Sequence, residues 1–315
     1  MADLFTVITD KAVLDYSQVE DWSAGVIIAA TEQANFLPGS PLISQTQRGN
    51  FSVGTFIKFA QNSASTSALT DGEEITSTAI TDTEVNLTIA EYGHDITVTA
   101  LGQNASGARA FAGASRIVGD NLASTIDTLA IQALEAGSNE TIVTQLAETA
   151  ITASDIITPA YVQRMYNKLR RAKQPKLLDG LYVAVVHPDV MYDLKAATAA
   201  NSWTDVNKYN NEIPVLRNEV GIYGGFRWIE SANVSVNANA GNVGVDTYHT
   251  LFLGYNSLGM AMSAQFPVRT YMNDTNSKIP GRFTHLGWHG LFTFGIVEQS
   301  AVQVLTSAST VGANT

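Results

Sequence analysis

Apolar and polar positions alternate from Phe51 onward. Phe51, Val53, Thr55, Ile57 and Phe59 fall on one face of an extended chain, and the same rhythm returns at Val85, Leu87 and Ile89, continuing beyond Gly93 in Ile96 and Val98. The spacing predicts two strands. Residues 60–83 between them are crowded with Ser, Thr, Ala and Asn around the acidic turn Asp71-Gly72-Glu73-Glu74, too long for a tight hairpin turn and too polar for a core. Together they read as a long hairpin with a loose tip. A two-stranded ribbon is marginal alone in water, because each strand has a single neighbour to offset its chain entropy. The expected support is another subunit, with the ribbon's own domain as the alternative.

The period then changes. Phe111, Ala114, Val118, Leu122, Thr125, Leu129 and Ala133 step by three or four, predicting one helix over 106–136, with Asn104 or Ser106 as N-cap and Gly137 beyond its end. About thirty residues at about 1.5 Å each make it roughly 45 Å long. Small residues along its seam let it lie close to a sheet. Thr158-Pro159 opens a second helix with the buried stripe Val162, Met165, Tyr166 and Leu169, and Pro175 stops it. The apolar run 181–186 predicts a buried strand that His187-Pro188-Asp189 turns into a helix over 190–200. After it we expect a helical turn at 215–220, a glycine turn over 221–225, a strand over 226–230, a surface loop over 234–246, and strands over 250–255 and 258–263. Alternation in Phe283-Thr284-His285-Leu286 and over 291–297 predicts a β layer that returns to cover the long helix. At the other end, a short helix over 17–30 precedes Pro38 and Pro41, which forbid regular structure, so residues 1–48 read as an extended, docked arm, with an N-terminal extension folded onto its own domain as the alternative.

Charge and composition narrow the function. The 315 residues carry 18 Lys and Arg against 29 Asp and Glu, a net charge of −11, which argues against wrapping nucleic acid by phosphate neutralisation. Only 15% of residues are charged, so the surface is largely neutral and polar, which suits contact with protein. With no cysteine there is no disulfide, thiolate nucleophile or Cys-ligated metal. No apolar run approaches the roughly 18 residues of a membrane span and no secretory signal is legible, so a soluble, cytosolically made protein without membrane partners is expected.

Candidate chemistry is sparse. Neither phosphate-binding glycine fingerprint is present, and Asn256-Ser257-Leu258-Gly259 has Tyr255 where a nucleophile elbow needs glycine. His285 and His289 lie four apart in a β-like stretch, about 13 Å along a strand, too far to share a metal ion. His187 with Asp189 could serve a hydrolase, but a strand-end residue capping the helix is the better reading. The acidic turn at 71–74 lacks the ligand ladder of a calcium loop. Arg164, Lys168, Arg170, Arg171, Lys173 and Lys176 form the densest positive patch, which reads as an ordinary solvated face or a site of inter-subunit ion pairs ahead of contact with nucleic acid.

The order arm, long hairpin, long helix, α/β domain, closing β layer resembles the tailed-bacteriophage major capsid family with the Hong Kong 97-like fold. Stretches such as Tyr182-Val183-Ala184-Val185-Val186-His187-Pro188-Asp189 and the run from Val220 to Glu230 are similar to that family as well. The resemblance covers essentially the whole chain. It implies an α+β fold: an N-terminal arm over 1–48, an extended hairpin or E-loop region over 49–102, a peripheral domain with a spine helix over 103–177, an axial α/β domain over 178–265, and a return to the peripheral domain with a C-terminal tail over 266–315. It further implies self-assembly into hexamers and pentamers of an icosahedral head shell around double-stranded DNA, bound without sequence specificity, with a portal and, since the arm leaves no room for a fused scaffold, a separate scaffolding protein. No catalysis, cofactor or metal is expected. Inter-subunit contacts are expected at Phe51, Phe56, Lys58, Phe59, Asp71, Glu73, Glu74, Arg164, Arg170 and Arg171. The hairpin tip contains no lysine, so no lysine-to-asparagine crosslink from it is expected. An encapsulin-type nanocompartment shell shares the fold and stands as the alternative, followed by another virion component such as a tail tube.

Overall fold

Alternation and helical period resolve in chain order into β1 (Gln45–Gly49), β2 (Val53–Phe59), β3 (Asp82–Thr88), β4 (Ala90–Thr99), α1 (Ala100–Ser106), α2 (Ala108–Glu135), β5 (Glu140–Ile142), α3 (Pro159–Arg171), β6 (Tyr182–Val186), α4 (Pro188–Ala196), β7 (Glu219–Tyr223), β8 (Phe226–Glu230), β9 (Val236–Asn237), β10 (Thr247–Leu253), β11 (Leu258–Ser263), β12 (Arg269–Asn273), β13 (Phe283–Ile296) and β14 (Val302–Ser307). The computed structural model describes residues 35–36, 40–60, 62–68, 71–72, 74–75, 77–106, 108–177, 180–197, 203, 219–265, 267–273 and 282–311. The arm helix expected over 17–30, Glu73, and residues 198–200 and 215–218 of two expected helical stretches lie outside them.

A short helix precedes the long one. β4 runs directly into α1 at Ala100, where the Thr99 hydroxyl accepts the Gly102 N–H at 3.1 Å and caps this short helix; Asn104 and Ser106, expected as caps of the long helix, lie within α1. In α2 the buried seam steps by three and four through Ala114, Val118, Leu122, Ala123, Ile126, Asp127, Ala130, Ile131 and Leu134. The expected positions Thr125, Leu129 and Ala133 flank it and are half-buried.

Two sheets share that helix. The five-stranded sheet runs β1-β11-β13-β12, with β4 on the other edge of β13, and the seven-stranded sheet runs β5-β14-β10-β6-β8-β7, with β9 on β10. Leu286, Trp288 and Phe292 of the first sheet and Val183, Leu251 and Val304 of the second form one core with the α2 seam. The closing β layer thus covers the long helix as expected. On the opposite face of the seven-stranded sheet, Tyr182, Phe226, Trp228 and Phe252 pack against Val162, Met165 and Leu169 of α3 and Val190, Met191 and Leu194 of α4. That sheet is covered on both faces, which explains the unbroken apolar run of β6.

The sheets exchange strands twice. The chain passes from β10 to β11 through residues 254–257 and back from β13 to β14 through 297–301. The two crossovers are tied together by Gly254 N–H to Ala301 O at 2.8 Å and Glu298 N–H to Asn256 O at 3.0 Å.

One local expectation is corrected. Glu219 and Val220, expected in a helical turn, and Gly221, expected in a turn, belong to β7, which pairs antiparallel with β8. The reversal is made at Gly224 and Gly225, with φ of 61° and 86°, the left-handed pair that a two-residue hairpin turn requires. Across this hairpin the Arg227 guanidinium donates to both Glu219 oxygens, at 3.0 and 2.8 Å, with both side chains buried.

Candidate assembly surface

The ribbon is β2 paired antiparallel with β3, in a register that sets Val53 opposite Thr88, Phe56 opposite Val85 and Phe59 opposite Asp82. The chain leaves it at Ile89, and β4 joins the five-stranded sheet along β13 rather than prolonging the hairpin. Gly93 is no break: it sits within β4 opposite His289, where an added Cβ would come within 2.9 Å of the Trp288 carbonyl.

Strand geometry turns successive side chains to opposite faces. One ribbon face carries Gly54 and Phe56 with Val85 and Leu87. It lies on the subunit's own body, where Phe56, 2% exposed, packs with Ala261 and Val297, joined by Phe51 and Ile89. Absent side chains let it lie close. A Cβ on Gly54 would come within 2.6 Å of the Ala261 Cβ, and one on Gly295 within 2.3 Å of Leu87 Cδ2. Lys58 points the same way and pairs with Glu298 at 2.5 Å, in the crossover between the two sheets. Burial opposes the charged form of Glu298, but hydrogen bonds from Lys58 and from the Ser300 hydroxyl and N–H outweigh it and hold the carboxyl below its ordinary value. Phe56 and Lys58, expected to reach a neighbouring subunit, are therefore engaged within their own chain, as is half-buried Phe51.

The other face has no such cover. Val53, Ile57 and Phe59 are 41%, 54% and 67% exposed, and β3 adds Asp82, Glu84, Asn86 and Thr88 beside them, all exposed. On β2 this is the face that sequence alternation marks as apolar, and it is turned away from the body, whereas the apolar Val85 and Leu87 of β3 lie on the buried face. Asp71 and Glu74 in the tip are exposed as well.

A second attachment holds the arm. Asp127, fully buried on the α2 seam, accepts the Asn35 and Phe36 backbone N–H groups at 2.8 and 2.9 Å on one oxygen, and the Asn233 amide on the other at 3.3 Å. Burial pushes its pKa up, and the donated hydrogen bonds offset only part of that. Phe36, Leu42 and Ile43 then enter the main core, and Ser44 bonds the Leu258 carbonyl through both its N–H and its hydroxyl. Sequence reading missed Asp127 and Glu298. A carboxylate on an apolar seam is the signal that could have found the first; Glu298, beside a turn, carries none.

On the far side, α3 turns Arg164, Arg170 and Arg171 outward, and exposed Lys173 follows the helix. Lys168 is directed to the Thr141 hydroxyl, and burial together with the Arg164 charge lowers its pKa. His187 caps α4, its ring accepting the Asp189 N–H at 3.3 Å, and burial lowers its pKa against the opposing pull of Asp189. Asp189 also accepts the Tyr248 hydroxyl at 3.1 Å, and with burial this pushes the phenol up to about 12. His285 and His289 each meet their own β4 carboxylate, Asp95 at 2.8 Å and Glu91 at 2.6 Å. Among the described residues no group of three or more acidic or histidine side chains is placed to hold a metal ion, and no helix is long and apolar enough to cross a membrane.

A subunit that seats one face of a ribbon on its own body while leaving the stripe Val53, Ile57 and Phe59 of the other face uncovered has a surface suited to association with further copies, as a structural, assembling protein needs. A family model for phage capsid proteins matches residues 82–304, and the chain belongs to that family. It is a capsid protein of the head shell, with the Hong Kong 97-like fold of tailed-phage capsids. Its fold is similar to that of the capsid of Ralstonia phage GP4 (12% identity, 88% of this chain and 92% of that one, TM-score 0.69). It is also similar to the capsid of cyanophage Pam1 (14% identity, 99% and 98% covered, TM-score 0.64) and to a virus-like particle from Pyrococcus furiosus (11% identity, 91% and 98% covered, TM-score 0.54). No curated protein matches the chain in sequence.

Proposed function

We propose that this subunit closes the phage head by laying the outward face of its ribbon on an adjacent copy, in hexamers and pentamers of an icosahedral shell around double-stranded DNA. The observation that carries this is the uncovered stripe Val53, Ile57 and Phe59, which a free-standing subunit would leave in water. Many modest contacts of this kind, each strengthened by the high local concentration that earlier contacts create, close a symmetric shell. A separate scaffolding protein and a portal complete the assembly in the host cytoplasm. DNA is enclosed without sequence-specific contacts, as suits a chain of net charge −11. The role is structural rather than catalytic.

The test is the double substitution Ile57→Asp with Phe59→Asp. Both side chains point away from the body, so the subunit should keep its circular dichroism spectrum and melting temperature. Electron microscopy should then show closed shells for the parent protein and dispersed subunits for the variant. Shells of normal form and yield from the variant would refute the reading.

A further inference from the structure

Which surface of the next copy receives the ribbon is decided by local charge. Two chains of net charge −11 repel, but at physiological salt the screening length is about 8 Å, so the net repulsion is damped and charge pairing within the contact itself decides which surfaces meet. On the outward ribbon face, register places Asp82 opposite Phe59 and Glu84 opposite Ile57, and the tip adds Asp71 and Glu74. Lys58, the cation of the ribbon, is turned inward to Glu298. The face is therefore apolar along one strand and anionic along the other.

A surface that fits must supply cations on side chains that can also cover hydrocarbon. α3 provides both. Its apolar stripe is spent on the seven-stranded sheet, and its outward side carries Arg164 and Arg171, two turns apart on one face, with Lys173 beyond. Among the described residues no salt bridge involves Arg164, Arg171 or Lys173. Arginine stems bury against apolar side chains and guanidinium planes stack on aromatic rings, which suits Ile57 and Phe59.

We propose that the outward ribbon face of one copy docks on the exposed cationic face of α3 in a second copy, with Asp82 and Glu84 against Arg164 and Arg171. The proposal rests on the reading of the chain as a shell subunit. Packaged DNA is the competing occupant of the same cations, but that arrangement would leave Ile57 and Phe59 uncovered.

The absence of cysteine gives a clean background for the test. Glu84→Cys and Arg171→Cys chains are mixed, assembled and oxidised, and disulfide-linked dimers are read on a non-reducing gel. Glu84→Cys with Tyr192→Cys, an exposed position on α4, is the control. A dimer joining 84 to 171 at several times the yield of the control is expected. Equal yields, or no 84 to 171 dimer in closed particles, would overturn the docking while leaving the shell reading intact; failure of the parent protein to form particles would strike the shell reading itself. A charge exchange supplies the second arm. Asp82→Lys with Glu84→Lys, and Arg164→Glu with Arg171→Glu, should each raise the subunit concentration needed for assembly by about tenfold. The fourfold variant should restore most of that. No recovery, or normal shells from the arginine variant that have lost only their DNA, would assign α3 to the polyanion instead.

Discussion

Replacing Phe56 by Ala should free the ribbon and leave the body alone. The ring is 2% exposed, and it lies in a small cluster with Ala261 and Val297, separate from the two main cores. Truncating a buried Phe costs about 3–5 kcal/mol where the cavity persists. Here the ribbon can lift away instead of leaving a void, so the lower figure applies. At about 1.4 kcal/mol per factor of ten, a loss of about 3 kcal/mol shifts the balance between seated and lifted ribbon by about a hundredfold. The remaining hold is Leu87 in the Gly295 notch, half-buried Phe51, Val85 and Ile89, and the Lys58 to Glu298 pair. That pair is partly exposed and is worth about 0.5–1 kcal/mol after screening. The assay is amide hydrogen exchange on dispersed subunits. Amides of β2 and β3 should lose protection by about two orders of magnitude, while those of β10 and β13 stay unchanged and the melting temperature barely moves. Ribbon amides as protected as before, or protection lost equally in β10 and β13, would refute the claim that Phe56 holds the ribbon as a separate unit.

Other outcomes follow from the same contacts. Gly295→Val places carbon where Leu87 already sits, since even a Cβ would lie 2.3 Å from it, and should unseat the ribbon as Phe56→Ala does, read by the same exchange pattern. Asp127→Ala strands two buried backbone N–H groups and should cost about 2–4 kcal/mol in thermal unfolding, whereas Asp127→Asn keeps an acceptor oxygen and should cost less than half of that. His249 lies between Glu135 at 3.5 Å and Glu148 at 4.0 Å; burial lowers its pKa, but Glu135, Glu148 and Glu140 overcome this and raise it above the ordinary 6.5. A raised imidazole pKa gives stability that is complete below 6.5 and lost as pH climbs through the folded value, so melting temperature should fall over that interval, and His249→Gln should flatten the profile.

Much of this architecture is legible in the sequence, because period and punctuation act locally. The steps of four through Val118 and Leu122 announce the long helix, Thr158-Pro159 marks the start of α3, and the unbroken run 182–186 marks a strand covered on both faces. What fails to show is long-range. Alternation states that Val53, Ile57 and Phe59 share a face but not which face meets the body, and here the side with fewer apolar residues on β2 is the buried one. Its apparent weakness, Gly54 and the lone Phe56, is what allows close approach to Ala261. The hairpin at Gly224 and Gly225 was hidden because a glycine cluster signals a turn without fixing how far the flanking strands extend. Of the expected contact residues, Phe59, Asp71, Glu74, Arg164, Arg170 and Arg171 stand at the surface, whereas Phe51, Phe56 and Lys58 are drawn in by partners distant in sequence.

The two carboxylates that fasten the arm and the ribbon respond to protons in opposite directions, and this separates their roles. Glu298 has a depressed pKa, so its contribution is complete above the ordinary 4.5 and is lost as pH falls through the folded value. Asp127 has a raised pKa, so its charged form is the strained one, and protonation relieves the fold rather than harming it. A protonated Asp127 still offers a carbonyl oxygen to the Asn35 and Phe36 N–H groups, both of which converge on a single oxygen. Mild acid should therefore loosen the ribbon by at most about fivefold, the 0.5–1 kcal/mol of the pair, and leave the arm seated. Exchange should increase in β2 and β3 below about pH 4.5 while residues 42–44 keep their protection, and Lys58→Met should remove most of that pH dependence. Release of both segments together would mean that they share one attachment, contrary to the two separate anchors described for Asp127 and Glu298.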